Sequence, residues 1–162
     1  MADLKGKTLF ISGASRGIGK AIALRAAKDG ANIIIAAKTA EPHPKLEGTI
    51  YSAAEDIEAA GGQALPCIVD IRDEAMVDAA IQAGVDKFGG IDVMVNNAGI
   101  VRDRTLIKMS DEDFDEVIAV NLRGPFLCTR SAAVAMKAQG SGHIIQITSA
   151  SGLVGNFGQT NY

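Results

Sequence analysis

T-L-F-I-S-G-A-S-R-G-I-G, residues 8–19, is the stretch whose reading decides the fold. The β-prone run Thr8–Ser12 leads directly into Gly13, Gly17 and Gly19, after which Ile18, Ile22 and Ala26 recur at four-residue intervals up to Gly30. A strand thus passes through a glycine turn into a helix that Gly30 stops. Glycine permits the tight turn and lets an anion approach the helix N-terminus, where free N–H groups and the dipole favour negative charge. The spacing is G-x-x-x-G-x-G, whereas the general dinucleotide pattern is G-x-G-x-x-G. Glycines at a turn also serve any α/β protein, so a phosphate cradle and a plain turn both remain open on these residues alone.

Outward from this unit, strands and helices alternate. Asn32–Ala37 is a continuous apolar run, as a strand covered on both faces requires. Residues 39–50, T-A-E-P-H-P-K-L-E-G-T-I, carry prolines without period and read as a loop before a helix of about ten residues from Tyr51. A third strand is expected over 63–70, after Gly61-Gly62, then a helix with Val77, Ile81, Val85 and Phe88 on one face. Strand four is expected over 91–95, helix over most of 111–138, and strand five over 143–149. Right-handed crossovers then give the strand order 3-2-1-4-5: an α/β, Rossmann-like doubly wound parallel sheet with its ligand crevice between strands one and four.

Composition excludes several functions. With 162 residues, 48% of them hydrophobic, the chain is expected to form one domain around a single core. A net charge of −3 with no basic stripe argues against nucleic acid as a partner. No apolar stretch reaches the ~20 residues of a spanning helix, and M-A-D-L-K-G-K-T lacks a signal peptide's apolar core. A soluble, cytoplasmic protein without membrane attachment is the expectation. Cys67 and Cys128 form no C-x-x-C pair, and His43 and His143 stand alone, so free buried thiols and no metal site are expected.

Asn121 falls three residues after Ile118 and seven after Phe114, on the apolar stripe of its helix, where a polar side chain needs a partner. Pro125, four residues on, cannot donate to the Asn121 carbonyl, so a local kink and a free acceptor are expected there. A solvated asparagine at a surface helix break is the alternative.

Three further motifs follow in order: N-N-A-G at 96–99, N-L-R-G at 121–124, and I-T-S-A-S-G-L-V-G-N-F-G-Q-T-N-Y at 147–162, with Ser149 thirteen residues before Tyr162. With the glycine turn, they make the whole chain resemble the short-chain dehydrogenases/reductases. Residues 7–70 are similar to the hydroxysteroid dehydrogenase-like protein 2 branch, and the part from Asn96 onward is similar to 3-oxoacyl reductase and multifunctional-enzyme branches. The resemblance implies that Ser149 hydrogen-bonds a carbonyl or alcohol, that Tyr162 transfers the proton, and that Asn121 supports a water-linked proton relay. Ser151 competes with Ser149 but lies eleven residues before Tyr162, off the family interval. It also implies cofactor contacts from Gly13, Ser15, Arg16, Gly17, Ile18 and Gly19, from Asp70 and Ile71, and from Asn97, Ala98 and Gly99. Asp70 equally suits a strand-end turn.

An acidic residue about twenty positions beyond the glycines would take the ribose 2′-hydroxyl of NAD, whereas a cation accommodates the 2′-phosphate of NADP. Here Ala37 stands at the end of strand two, followed by Lys38, and Arg16 lies in the glycine turn. NADP(H) is therefore the expected cofactor, with NAD(H) second; each cation alone could be an ordinary surface charge. Ala37-Lys38 also disfavours a methyltransferase-like sheet, which would want a carboxylate for its adenosyl ribose.

The family's catalytic lysine would stand at position 166, beyond Tyr162, together with further strands and the substrate-covering segment. The expected reading is thus an incomplete, N-terminal part of the domain, with the outer edge of strand five unpaired. Two functions are carried forward: an NADP(H)-dependent oxidoreductase interconverting a ketone and a secondary alcohol, and a non-catalytic nucleotide-binding or assembly fragment. Ile100, Val101, Leu153, Val154 and Phe157 suggest an apolar wall for a small apolar carbonyl or alcohol. A homo-oligomer, and a peroxisomal address as the alternative to cytoplasm, are implied by resemblance only.

Overall fold

The structure, a computed structural model, describes residues 4–42, 44 and 47–162, so the readings made of residues 1–3 and of His43 lie outside it. Strands β1 (Thr8–Ser12), β2 (Asn32–Ala37), β3 (Gln63–Ile68), β4 (Val93–Asn96) and β5 (His143–Gln146) form one sheet in the order β3-β2-β1-β4-β5. Every pair is parallel, as crossover helices dictate.

Period-two alternation divides the core into two layers. Leu9, Ile11, Ile33 and Ile35 face α1 (Gly17–Ala27) and α2 (Ile50–Ala59), packing with Ala23, Ala27, Ile50 and Ile57. Phe10, Ile34, Ala36 and Met94 face the other way, against Val77 and Ile81 of α3 (Glu74–Phe88) and Cys128 and Ala132 of α5 (Gly124–Gln139). Both faces of β1 and β2 are therefore dry, which is why their sequences read as unbroken apolar runs. Cys128 is buried and Cys67 half-buried, and both thiols are free.

Several elements differ from the sequence expectation. β3 ends at Ile68 because its partner β2 ends at Ala37, with one further bond from Val69 N to the Ala37 carbonyl at 3.1 Å. β4 begins at Val93 rather than Ile91, since the side-chain amide of Gln139 takes both Ile91 backbone groups, at 3.2 and 2.7 Å. β5 ends at Gln146, where β4 ends at Asn96. In α1 the buried positions are Gly19, Ala23, Ala26 and Ala27, while Ile18 is 66% exposed. The four-residue interval thus holds at Ala26 and, partly buried against the core, at Ile22, but fails at Ile18, because the closest approach to the sheet is made by Gly19 and the alanines. A 3₁₀ turn over Leu106–Lys108 and a short helix α6 (Ser151–Val154) carry no periodicity and were not expected.

The stretch expected as helix over 111–138 is continuous but heterogeneous. Ser110 caps α4 (Asp111–Ile118), accepting from Asp113 N at 3.1 Å, and acidic residues fill its first turn. Phe114 is exposed and Val117 takes the buried position. Residues Ala119–Arg123 form a π turn, with Gly124 N bonded to the Ala119 carbonyl. Pro125 has no N–H for Asn121, and the helix answers by widening there before α5 begins.

Candidate functional site

The crevice opens where β1 and β4 end. Ser12 Oγ accepts from Asn97 N and from Ala98 N, both at 3.0 Å, while Asn97 Nδ2 donates to the Ser12 carbonyl at 3.0 Å. The glycine turn and the N-N-A-G segment are thereby tied into one unit. A Cβ on Gly19 would lie 2.5 Å from the Gly13 carbonyl oxygen and 2.6 Å from Asn97 Nδ2, and one on Gly13 would lie 3.0 Å from Ala98 Cα. These two glycines are required by close approach, and Gly13 also by its left-handed φ of 70°.

A cavity of about 710 Å³ runs from this unit along the ends of β2 and β3. Gly13, Ser15, Arg16, Lys38, Asp70, Ile71, Asn97, Ala98 and Gly99 all line it; Gly17, Ile18 and Gly19 do not. Arg16 donates through Nη2 to Thr39 Oγ1 at 2.8 Å and to the Gly48 carbonyl at 3.3 Å. Its Nη1 is buried without a partner among the described residues. Asp70 binds Arg72 side on, with Nε to Oδ1 at 3.0 Å and Nη2 to Oδ2 at 2.6 Å, and Lys38 Nζ stands 3.5 Å away. The Arg72 hydrogen bonds hold the Asp70 carboxyl well below the usual carboxylate range, against the opposing effect of burial, and Lys38 adds to the lowering. Asp70 is a strand-end turn residue, accepting from Arg72 N at 3.1 Å, and its side of the turn also lines the cavity.

A second cavity of about 440 Å³ adjoins the first and shares Asn97, Ala98, Gly99 and Ile100 with it. Asn121, Ser149 and Tyr162, distant in sequence, line it together, with Ile18 and Val101 among the apolar residues. Ser151 does not line it; its N–H donates to Ser149 Oγ at 3.2 Å. Leu153, Val154 and Phe157 are also outside the lining and strongly exposed, so the apolar wall is narrower than expected. Asn121 finds its partner in the backbone of Ile100, accepting from N and donating to O, each at 2.9 Å.

Four residues of this region were not singled out from the sequence. Ser12 and Thr39 act through neighbours that only folding supplies, and Arg72 through Asp70, two residues before it. Asn161 is buried beside Tyr162, and its Nδ2 donates to the carbonyls of Arg102 and Asp113. Among the described residues no group of histidine, cysteine and carboxylate side chains could hold a metal ion, and no helix is long and apolar enough to cross a membrane.

Comparison with known proteins follows the same line. The short chain dehydrogenase family model matches residues 7–162. Hydroxysteroid dehydrogenase-like protein 2 from Homo sapiens is 55% identical over 145 residues, 90% of this chain and 35% of that protein. The Xenopus laevis protein of the same name is 54% identical over the same coverage. A match of 145 residues continues well past Asn96. Among solved structures, a short chain dehydrogenase from Mycobacterium thermoresistibile is 50% identical, with a TM-score of 0.85 over 90% of this chain and 52% of that one. A chain from Sinorhizobium meliloti 1021 is 31% identical, with a TM-score of 0.90 over 99% of this chain and 61% of that one. The chain thus spans about a third of the length of these curated relatives and just over half that of these solved chains.

Proposed function

The chain belongs to the short chain dehydrogenase family, and from that premise we propose that it is an NADP(H)-preferring oxidoreductase interconverting a ketone and a secondary alcohol. The observation that carries the reading is the junction at Asn97–Ile100, where a cavity suited to a dinucleotide meets one lined by Asn121, Ser149 and Tyr162.

The residues present fit a nicotinamide dinucleotide. Gly13 and Gly19 let the turn and α1 close tightly on Asn97 and Ala98 at the head of the cavity, and Arg16 carries a buried donor with no partner among the described residues. Arg16 and Lys38 would hold the 2′-phosphate where Ala37 leaves no carboxylate to repel it, Asp70 and Ile71 the adenosine end, and Asn97, Ala98 and Gly99 the nicotinamide side. Ser15, Gly17, Ile18 and Gly19 would complete the phosphate turn. NAD(H) is the second choice. When bound, the cofactor supplies or accepts hydride.

In the reducing direction Ser149 donates a hydrogen bond to the carbonyl oxygen. Tyr162 would give that oxygen its proton, and in the oxidising direction would take it back. Asn121 holds the Ile100 backbone between the two cavities and offers, through its carbonyl, an acceptor for a proton relay. Ile18, Ile100 and Val101 suit a small apolar carbonyl or alcohol. Phe114, Leu122, Phe126 and Val134, exposed along α4, the π turn and α5, suit burial in a homo-oligomer. The competing reading is nucleotide binding without turnover, for which the first cavity alone would suffice.

Dissociation constants for NADPH and NADH, followed by NADPH oxidation with a panel of ketones, test the reading. Tighter NADPH binding with turnover is expected. Tighter NADH binding overturns the preference, and binding with no turnover on any carbonyl leaves the nucleotide-binding role. Arg16→Gln should weaken NADPH about tenfold or more, as loss of a charge-assisted hydrogen bond does, and leave NADH nearly unchanged.

A further inference from the structure

We propose that Asn161 is a positioning residue for Tyr162: its side-chain amide ties the segment bearing the phenol to the helix that leads into Asn121. The inference rests on the reading of Tyr162 as the proton donor. Asn161 is only 5% exposed, and its amide group donates to two carbonyls on separate parts of the chain, Arg102 at 3.1 Å and Asp113 at 3.0 Å. Arg102 lies in the loop after β4, two residues beyond the Ile100 that Asn121 grips. Asp113 lies in α4, which runs through the π turn into Asn121 itself. One side chain therefore references Tyr162 to both structures that place Asn121.

The rest of the seam holds the segment further upstream. Arg104 N donates to the Gly158 carbonyl at 2.9 Å, and Gln159 Nε2 reaches Asp103 Oδ1 at 3.2 Å. Tyr162 N turns back onto the Gln159 carbonyl at 3.1 Å. Asn161 is the side-chain anchor adjoining the phenol's own residue.

Packing alone does not explain an amide here. Among the described residues Asn161 Oδ1 is buried without a partner, as is Thr105 Oγ1 in the opposing loop. A leucine of similar size would fill the space with no unmet acceptor, so the amide is accounted for by its two donations. Positional accuracy is what they supply, and a displacement of ~1 Å at a reacting group costs on the order of 100-fold in rate.

The full chain, labelled at tyrosine Cζ with ¹³C, provides the test. Its tyrosines are Tyr51 and Tyr162, so Tyr51 on α2 serves as the internal reference. In N161L the Tyr162 resonance should shift or broaden while that of Tyr51 stays. Turnover should fall about 10- to 100-fold, with the dissociation constant for NADPH unchanged, and N161Q, which keeps the donor, should recover part of it. A folded N161L with the wild-type Tyr162 resonance overturns the proposal, as does a shift of both tyrosines together. If the unsubstituted chain turns over no carbonyl, the oxidoreductase reading fails and the tyrosine resonances alone decide the positioning. Should N161L not fold, N161S carries the same measurements.

Discussion

Asn121 and Ile100 exchange a pair of hydrogen bonds, Ile100 N to Asn121 Oδ1 and Asn121 Nδ2 to Ile100 O, each at 2.9 Å. The side-chain amide thus behaves as a strand partner would, completing a stretch of backbone that lies beyond the end of β4. Replacing it with leucine leaves both Ile100 groups unpaired in a partly buried place. Asn121→Leu should lose about 2 kcal/mol, read as a lower urea midpoint at unchanged slope, and Asn121→Asp, which keeps only the acceptor, should lose less. Equal stability of all three proteins would contradict this.

Gly19 meets the Gly13 carbonyl more closely than any side chain allows, since an added Cβ would stand 2.5 Å from that oxygen. Gly19→Ala must push α1 away from the glycine turn, at an overpacking cost of ~1–3 kcal/mol. The same displacement spoils the anion cradle. NADPH affinity, followed by cofactor fluorescence, should fall at least about tenfold, and an unchanged affinity would show that the cofactor does not rest on this turn.

Asp70 makes stability depend on acid in a defined sense. Its folded pKa is depressed by Arg72, so its contribution is complete above the ordinary carboxylate value of ~3.9 and is lost as pH falls toward the folded value. Asp70→Asn should therefore be less stable than the parent at pH ~7, with the gap narrowing below pH ~4. Urea midpoints at the two pH values measure it. A gap of constant size would mean the ion pair contributes nothing.

Burial pushes the Cys128 thiol up to about 12, and it raises Cys67 as well, with Lys87 acting in the opposite direction. At pH ~8 hardly any Cys128 is thiolate. A disulfide reagent should label half-buried Cys67 slowly and Cys128 only on unfolding, an order that mass spectrometry of timed aliquots resolves. Labelling of Cys128 first would refute the core packing between α5 and the sheet.

What could be read before folding depended on how local its cause is. β1 and β2 were bounded correctly because burial on both faces writes a continuous apolar run. Ile18 was misplaced because a four-residue interval does not say how closely a helix approaches its sheet. The three alanines and the glycine buried there carry little hydrophobic signal. The disturbance before Pro125 was legible, since a missing N–H is a property of one residue; its form as a π turn was not.

The sequence by itself determined the alternation of strands and helices, the strand order and the glycine turn, because periodicity, chirality and steric freedom belong to the chain. The meeting of Asn121, Ser149 and Tyr162 around one cavity required the fold. So did the pinning of Arg16 by Thr39 and Gly48, the ion pair of Asp70 with Lys38, and the clamp of Asn161 on Arg102 and Asp113. Each is a contact between residues far apart in the chain, and hydrogen-bond geometry across such distances exists only once the packed core has fixed both partners.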